Sequence, residues 1–212
     1  MLINNNKHNV DYYLLWGVFM EGAKEDRRIR RTKKLLKQAL AQLMDEKEFK
    51  DITVKDITER ADLNRGTFYL HYTDTYDILN KIENEILENI QNMINQDMEK
   101  PDITDSESVP ALKPIAEYIM ENADICRCLI NNKASVDFID KLQNLIYVNC
   151  SDIIKRRHNV KNTARNEYYF SFLTLGIIGI VKKWLETKPM ASVDEIVFLV
   201  EQIMTYSSAV LK

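Results

Sequence analysis

Apolar residues recur along this chain at spacings of three and four, and no stretch alternates apolar with polar as a half-buried strand would. Ile29, Leu36, Leu40 and Leu43 lay one stripe on a first helix over 27–47, and Phe49 and Ile52 follow it closely. Val54, Ile57 and Ala61 mark a second, short helix whose start carries Thr53, answered three residues on by Asp56 as in a capping box. Asp62 stands where the chain must turn sharply, and Asp tolerates a left-handed backbone better than most residues. Leu63 plugs the corner, and Asn64 caps a third helix over 65–72. A long fourth helix starts at Asp74, helped by Asp77, and runs to about residue 99. Residues 100–109 are polar and contain proline, which predicts a loop. Further helices are expected over 110–122, near Cys126, over 136–158 and over 163–186, and a last one opens at Ser192 with Glu195 in capping-box register and reaches about residue 209. With only five Gly and four Pro in 212 residues, an all-α chain of about nine helices follows.

Two of these helices carry more apolar surface than a single buried stripe needs. The run from Phe170 to Val181 (FSFLTLGIIGIV) is too apolar for an exposed helix and too short to span a bilayer. Gly176 and Gly179 lie three apart, which lets another helix come close. Ile196, Leu199, Val200, Ile203 and Met204 make a second stripe on the last helix. Two such helices from each of two subunits would form a four-helix interface, so Gly176, Gly179, Ile196, Leu199, Val200 and Ile203 are the expected dimer contacts. Packing within one chain is the plainer alternative. Tyr118, Met120, Phe138, Tyr147, Tyr168, Phe172 and Trp184 are large residues on the helices of the same region. They are candidate walls of an apolar, aromatic pocket for a small organic molecule, with ordinary core packing as the alternative.

The short helices around Asp62 have helix-turn-helix spacing, in which the second helix enters a DNA major groove. An ordinary helical hairpin would show much of the same pattern. The order of residues after the turn is more distinctive: Asn64, Arg65, Gly66, Thr67, Phe68, Tyr69 and then Tyr72. With Thr53, Val54, Ile57 and Ala61 before it, this resembles the DNA-binding domain of the TetR family of bacterial repressors, from about Arg31 to Leu79. Tyr169, Gly176, Gly179, Trp184, Leu185 and the Ser192–Glu195 segment are similar to a common sensor domain of that family. Two positions depart from the pattern: Asp62 stands where a small residue or Gly is usual, and Thr75 where Lys usually touches a phosphate.

The resemblance implies a division into residues 1–26 (an N-terminal extension), 27–73 (the helix-turn-helix domain) and 74–212 (a ligand-sensing and dimerisation domain). It implies double-stranded DNA as partner, read by a homodimeric, cytoplasmic repressor at a palindromic operator, with no cofactor. A small organic effector would release it by favouring a tilt of the fourth helix. The competing reading is a coactivator or protein-interaction module that acts through another regulator and binds DNA weakly or not at all. Arg65, Thr67 and His71 are the expected base readers, and Tyr69 and Thr53 the phosphate contacts. Arg31, Lys55, Asn64, Gly66, Tyr72 and Thr75 complete the expected DNA-facing set. Gly66 admits close backbone approach, Leu70 offers a methyl contact, and Phe68 is assigned to the core against Leu36, Leu40 and Ile57. Tyr72 is open between phosphate contact and packing under the fourth helix.

Charge supports the same front. The chain is formally −3, yet residues 24–81 carry +3 and the remainder −6. Arg27, Arg28, Arg30, Arg31, Lys33, Lys34 and Lys37 form a basic run with no acid among them. Catalytic and metal chemistry find no support: His8, His71 and His158 are far apart, and there is no Gly-rich phosphate loop and no Ser elbow. Cys126 and Cys128, with Cys150, are too few for a zinc site. They suit a reducing compartment, with a redox pair at Cys126 and Cys128 as the sharper reading. The apolar stretch from Tyr12 to Met20 lacks the length and flanks of a signal peptide or anchor and precedes the family-like region. Translation is therefore expected to begin at Met20, with residues 1–19 an over-extended reading frame; the alternative is a genuine segment whose aromatics pack as an extra helix on the body.

Overall fold

In the computed structural model, residues 27–98, 111–131, 135–158, 163–186 and 191–211 are described. The expectations for residues 1–19 and for the loop over 100–109 lie outside them. Nine α-helices and two short 3-10 turns make up the described chain, without a strand: α1 (Arg27–Glu46), α2 (Val54–Arg60), α3 (Arg65–Tyr69), α4 (Thr75–Met98), α5 (Leu112–Glu121), α6 (Ala123–Asn131), α7 (Val136–His158), α8 (Ala164–Glu186) and α9 (Val193–Ser207). The all-α expectation holds.

The first three helices close around side chains that a 3.6-residue period puts inside. Leu36, Leu40, Ile57 and Phe68 are fully buried together, so Phe68 is core as its spacing predicts. Charged pairs clip the seam between α1 and α2: Arg60 donates two bonds to the Glu46 carboxylate at 2.8 and 2.7 Å, and Lys47 reaches Asp56 at 2.8 Å. The core does not stop at residue 73. Ile78, Ile82, Ile86, Ile90 and Ile94 run down one side of α4 at four-residue steps and join it to the interior formed by α6 and α7. A second cluster, with Phe170, Leu173, Val200 and Met204, binds α8 to α9 and α7.

Helix α6 lies directly on α1. Arg127 donates to Asp45 at 2.7 Å, the Cys128 thiol donates to the Ala41 carbonyl at 3.3 Å, and Lys37 donates to Asn122, between α5 and α6, at 3.1 Å. These contacts, together with α4, connect the first three helices to the rest. No described helix is long and apolar enough to cross a membrane.

Candidate nucleic-acid interface and interior cavity

Local chemistry builds the turn. Thr53 Oγ1 accepts from the Asp56 N–H at 3.2 Å while Asp56 Oδ2 accepts from the Thr53 N–H at 2.8 Å, a complete capping box. The Lys47 ammonium, and then the Thr53 hydroxyl and N–H, hold the Asp56 carboxyl well below the usual carboxylate range. Asp62 takes the left-handed backbone that the turn needs, at φ 53°, and the Leu63 N–H closes onto the Thr58 carbonyl at 2.9 Å. Asn64 Oδ1 accepts from the Gly66 N–H at 2.8 Å and starts α3. The helix is shorter than its sequence predicts. It ends at Tyr69, and Leu70 to Tyr72 follow as a turn, with the His71 and Tyr72 N–H groups bonded back to the Phe68 carbonyl.

Burial then sorts the expected contact residues. Arg31, Thr53, Lys55, Asn64, Arg65 and Gly66 are exposed, and Thr67, His71 and Thr75 are half-buried. Tyr69 is 53% exposed, with its ring edge-on to Phe68, and Leu70, just past the end of α3, is 79% exposed. A methyl group added at Gly66 would meet only the Asn64 side-chain oxygen, at 3.4 Å, so nothing inside the chain crowds this position. Tyr72 is the exception to the expected set. Its ring is only 6% exposed, packed 5.5 Å from Phe68 and capped by the Lys81 ammonium at 5.3 Å. With Phe68 beside it and Lys81 over it, the ring is packed inward, in line with the packing reading. Lys81, which sequence reasoning passed over, also donates to the His71 carbonyl at 3.0 Å and pairs with Asp77 at 3.0 Å, so it fixes the exit from α3 to α4. Asp74 Oδ1 accepts from the Asp77 N–H at 2.8 Å and Asp77 Oδ2 from the Thr73 N–H at 2.8 Å, capping α4 as its spacing predicts.

Farther along, α4 to α9 enclose a cavity of about 130 Å³. Of the expected wall residues only Phe138 and Trp184 line it. Tyr118 instead takes a hydrogen bond from Asn89 at 3.1 Å, Met120 is half-buried away from the cavity, and Tyr147 packs edge-on against Phe170. Tyr168 and Phe172 are 78% and 64% exposed on the outer side of α8. The expected dimer residues are sorted in the opposite direction. Ile196 and Val200 line the cavity, Val200 at 2% exposure, and Ile203 packs on the second cluster. Leu199 is exposed, as are Gly176 and Gly179, where an added methyl would meet nothing within 4 Å. The period of α9 puts residues 196, 200 and 203 on one stripe, and that stripe faces its own chain. The large apolar residues exposed on α8 and α9 are Tyr168, Phe172, Leu175, Phe198, Leu199 and Tyr206.

The cysteines are all buried. Burial pushes the Cys126 thiol up to about 11, and the Cys128 and Cys150 thiols up to about 12, the Asp45 carboxylate adding to the effect at Cys128. Protonated, inaccessible thiols are poor nucleophiles, which removes the basis for a redox pair at Cys126 and Cys128. Among the described residues, no group of three or more His, Cys, Asp or Glu is placed to hold a metal ion.

Comparison with known proteins agrees with this geometry. Residues 36–82 match the family model described as bacterial regulatory proteins, tetR family, and residues 106–206 match one described as a transcriptional regulator C-terminal region. The chain is 35% identical over 74 residues to the uncharacterized HTH-type transcriptional regulator YxbF of Bacillus subtilis (strain 168). That match covers 32% of this chain and spans one fifth (20%) of YxbF. A crystal structure assigned to the TetR family, from Syntrophomonas wolfei str. Goettingen, superposes with a TM-score of 0.62 at 18% identity, over 85% of this chain and 96% of that one. The fatty acid degradation regulator FadR from Bacillus halodurans gives a TM-score of 0.60 at 14% identity, over 85% and 96% of the two chains. At such identities these likenesses speak for the fold. With the helix-turn-helix and both family models in agreement, this chain belongs to the TetR family of DNA-binding transcriptional regulators.

Proposed function

We propose that the chain is a homodimeric, cytoplasmic repressor that grips a palindromic operator and lets go when a small organic effector enters its interior. The observation that carries this reading is the outward face of α3. Arg65, Gly66, Tyr69 and the adjoining Leu70 stand exposed, as do Arg27, Arg30, Arg31 and Lys34 on α1 of the same three-helix unit. Arg65 forks onto a guanine edge, Tyr69 and Thr53 hold phosphates, and Gly66 lets the backbone come close. Residues 27–73 do the reading, and residues 74–212 sense and dimerise. One such helix reaches too few base pairs for specificity, so a two-fold pair is needed. The exposed apolar face of α8 and α9 supports a second copy as that partner, since a patch of this kind on a monomer marks an interaction site.

The second reading, action through another regulator, draws on Thr75, which is half-buried where the family has a phosphate-binding Lys. Selection of duplexes from a random pool separates the two. The repressor reading expects an enriched palindrome whose affinity falls steeply with salt. Arg65→Ala should weaken it by roughly 1–3 kcal/mol with relaxed preference at one position per half-site. No enrichment at low salt would replace it with the partner reading.

A further inference from the structure

We propose that the interior cavity takes a neutral molecule with an aliphatic chain and that Asn149 makes the one polar contact to it. This rests on the effector-released reading above and specifies the effector's chemistry. Six helices supply the wall, and it is almost wholly apolar and mostly aliphatic: Ile86 and Ile90 from α4, Ile115 from α5, Ile130 from α6 and Ile177 from α8 are representative. Among the described residues, no Lys, Arg, His, Asp or Glu lines it. A carboxylate or ammonium drawn inside would lose its water and find no opposite charge, a severe penalty. Charged groups are therefore confined to the opening, and what fills the interior is hydrocarbon.

Asn149 breaks the aliphatic wall. Its Nδ2 donates to the Leu145 carbonyl at 2.8 Å and to Gln91 Oε1 at 3.4 Å, so both donors are spent within the chain. The carbonyl oxygen of the amide is the group left to serve a ligand, and it accepts. The matching ligand group is a hydroxyl or an amide N–H. Cys126 and Cys150 also line the cavity but, as protonated thiols, offer soft apolar surface. The volume of about 130 Å³ is close to that of an engineered apolar cavity, roughly 150 Å³, that stays dry and binds benzene. A slender chain fits such a space.

The cavity also touches both connections to the helix-turn-helix. Ile86, Ile90 and Ile94 belong to α4, while Cys126 and Ile130 belong to α6, whose Arg127 and Cys128 hold α1 through Asp45 and Ala41. Filling it acts on the two helices that set the position of α3.

The test uses the full chain without DNA. Trp184 lines the cavity and Trp16 is the other tryptophan, so Trp16→Phe leaves emission to report on the site. Titration with n-alkanols from butanol to decanol should show saturable binding that tightens about four-fold per methylene until the chain outgrows the cavity. Decanoate should bind at least ten-fold more weakly than decanol. Methyl ethers of equal length, which cannot donate, should bind several-fold more weakly than the alcohols, and Asn149→Leu should erase that difference while preserving chain-length dependence. Ala116→Phe should block binding altogether. Unsaturable uptake that follows bulk partitioning, or decanoate equal to decanol, would overturn the proposal. So would an alcohol preference that survives Asn149→Leu in a chain with unchanged helical content. Alkanol binding in a protein that enriches no duplex would keep this site and defeat the operator reading instead.

Discussion

Helices α3 and α8 each bury one side and present the other, but what they present differs in kind. Helix α3 puts Phe68 into the core and holds Arg65, Gly66 and Tyr69 outside, with Leu70 exposed just past its end. Helix α8 buries Phe170, Leu173 and Trp184 and holds Tyr168, Phe172, Leu175, Gly176 and Gly179 outside. A cation, a bare backbone and a phenol suit a polyanion with groove edges to read. A greasy stripe with two glycines that crowd nothing in their own chain suits another apolar helix. The two outer faces therefore differ in the chemistry they offer a partner.

The largest expected effect lies on the inner side of α3. Phe68→Ala should cost about 3–5 kcal/mol, because it opens a cavity among Leu36, Leu40 and Ile57 that the surrounding helices cannot fill. Denaturant unfolding followed by circular dichroism measures it, and a cost below 1 kcal/mol would mean that α3 is held by something other than its core face. On the outer side of α8 the comparison reverses. Phe172→Arg should leave the stability of the single chain within about 0.5 kcal/mol, as for an ordinary surface change. It should weaken self-association by roughly 3 kcal/mol or more, since each subunit would then bury an unpaired charge. Sedimentation equilibrium decides the point, and an unchanged dimer would remove α8 from the interface.

Smaller effects sharpen the same contrast. Thr53→Ala should cost about 1 kcal/mol through loss of the α2 cap. The acid limb carries a related signal. Asp56 is held below its ordinary value, so its contribution is complete above the usual carboxylate range and is lost as pH falls below about 4. Lys47→Met should flatten that limb, and pH-dependent melting reads it. Gly176→Ala should raise the stability of the isolated helix by up to about 1 kcal/mol, since an added methyl meets nothing within 4 Å of its own chain. If α8 packs closely on its counterpart, the same change weakens the dimer.

The helix-turn-helix was legible because its signals are local. Thr53 with Asp56, Asp62 at φ 53°, and Asn64 over Gly66 each act within a few residues, so spacing and residue type suffice. Tyr72 was not legible, because whether a phenol four residues after Phe68 turns inward depends on Lys81 and α4 closing over it. The body shows the limit more sharply. Tyr168 and Phe172, expected at a pocket, lie outside, while Ile196 and Val200, expected between subunits, line the cavity.

What the chain's own order of residues determined is the all-α class, the positions of most helices and the caps of four of them, the tight turn and the basic front, all of which follow from periodicity, backbone preference and charge over short spans. Which of two apolar faces looks inward was decided only by the packing of six helices against one another. A helix such as α8 is apolar on more than one side, so its period is nearly silent about direction. Direction then depends on which neighbours, far away in the chain, come to cover each side.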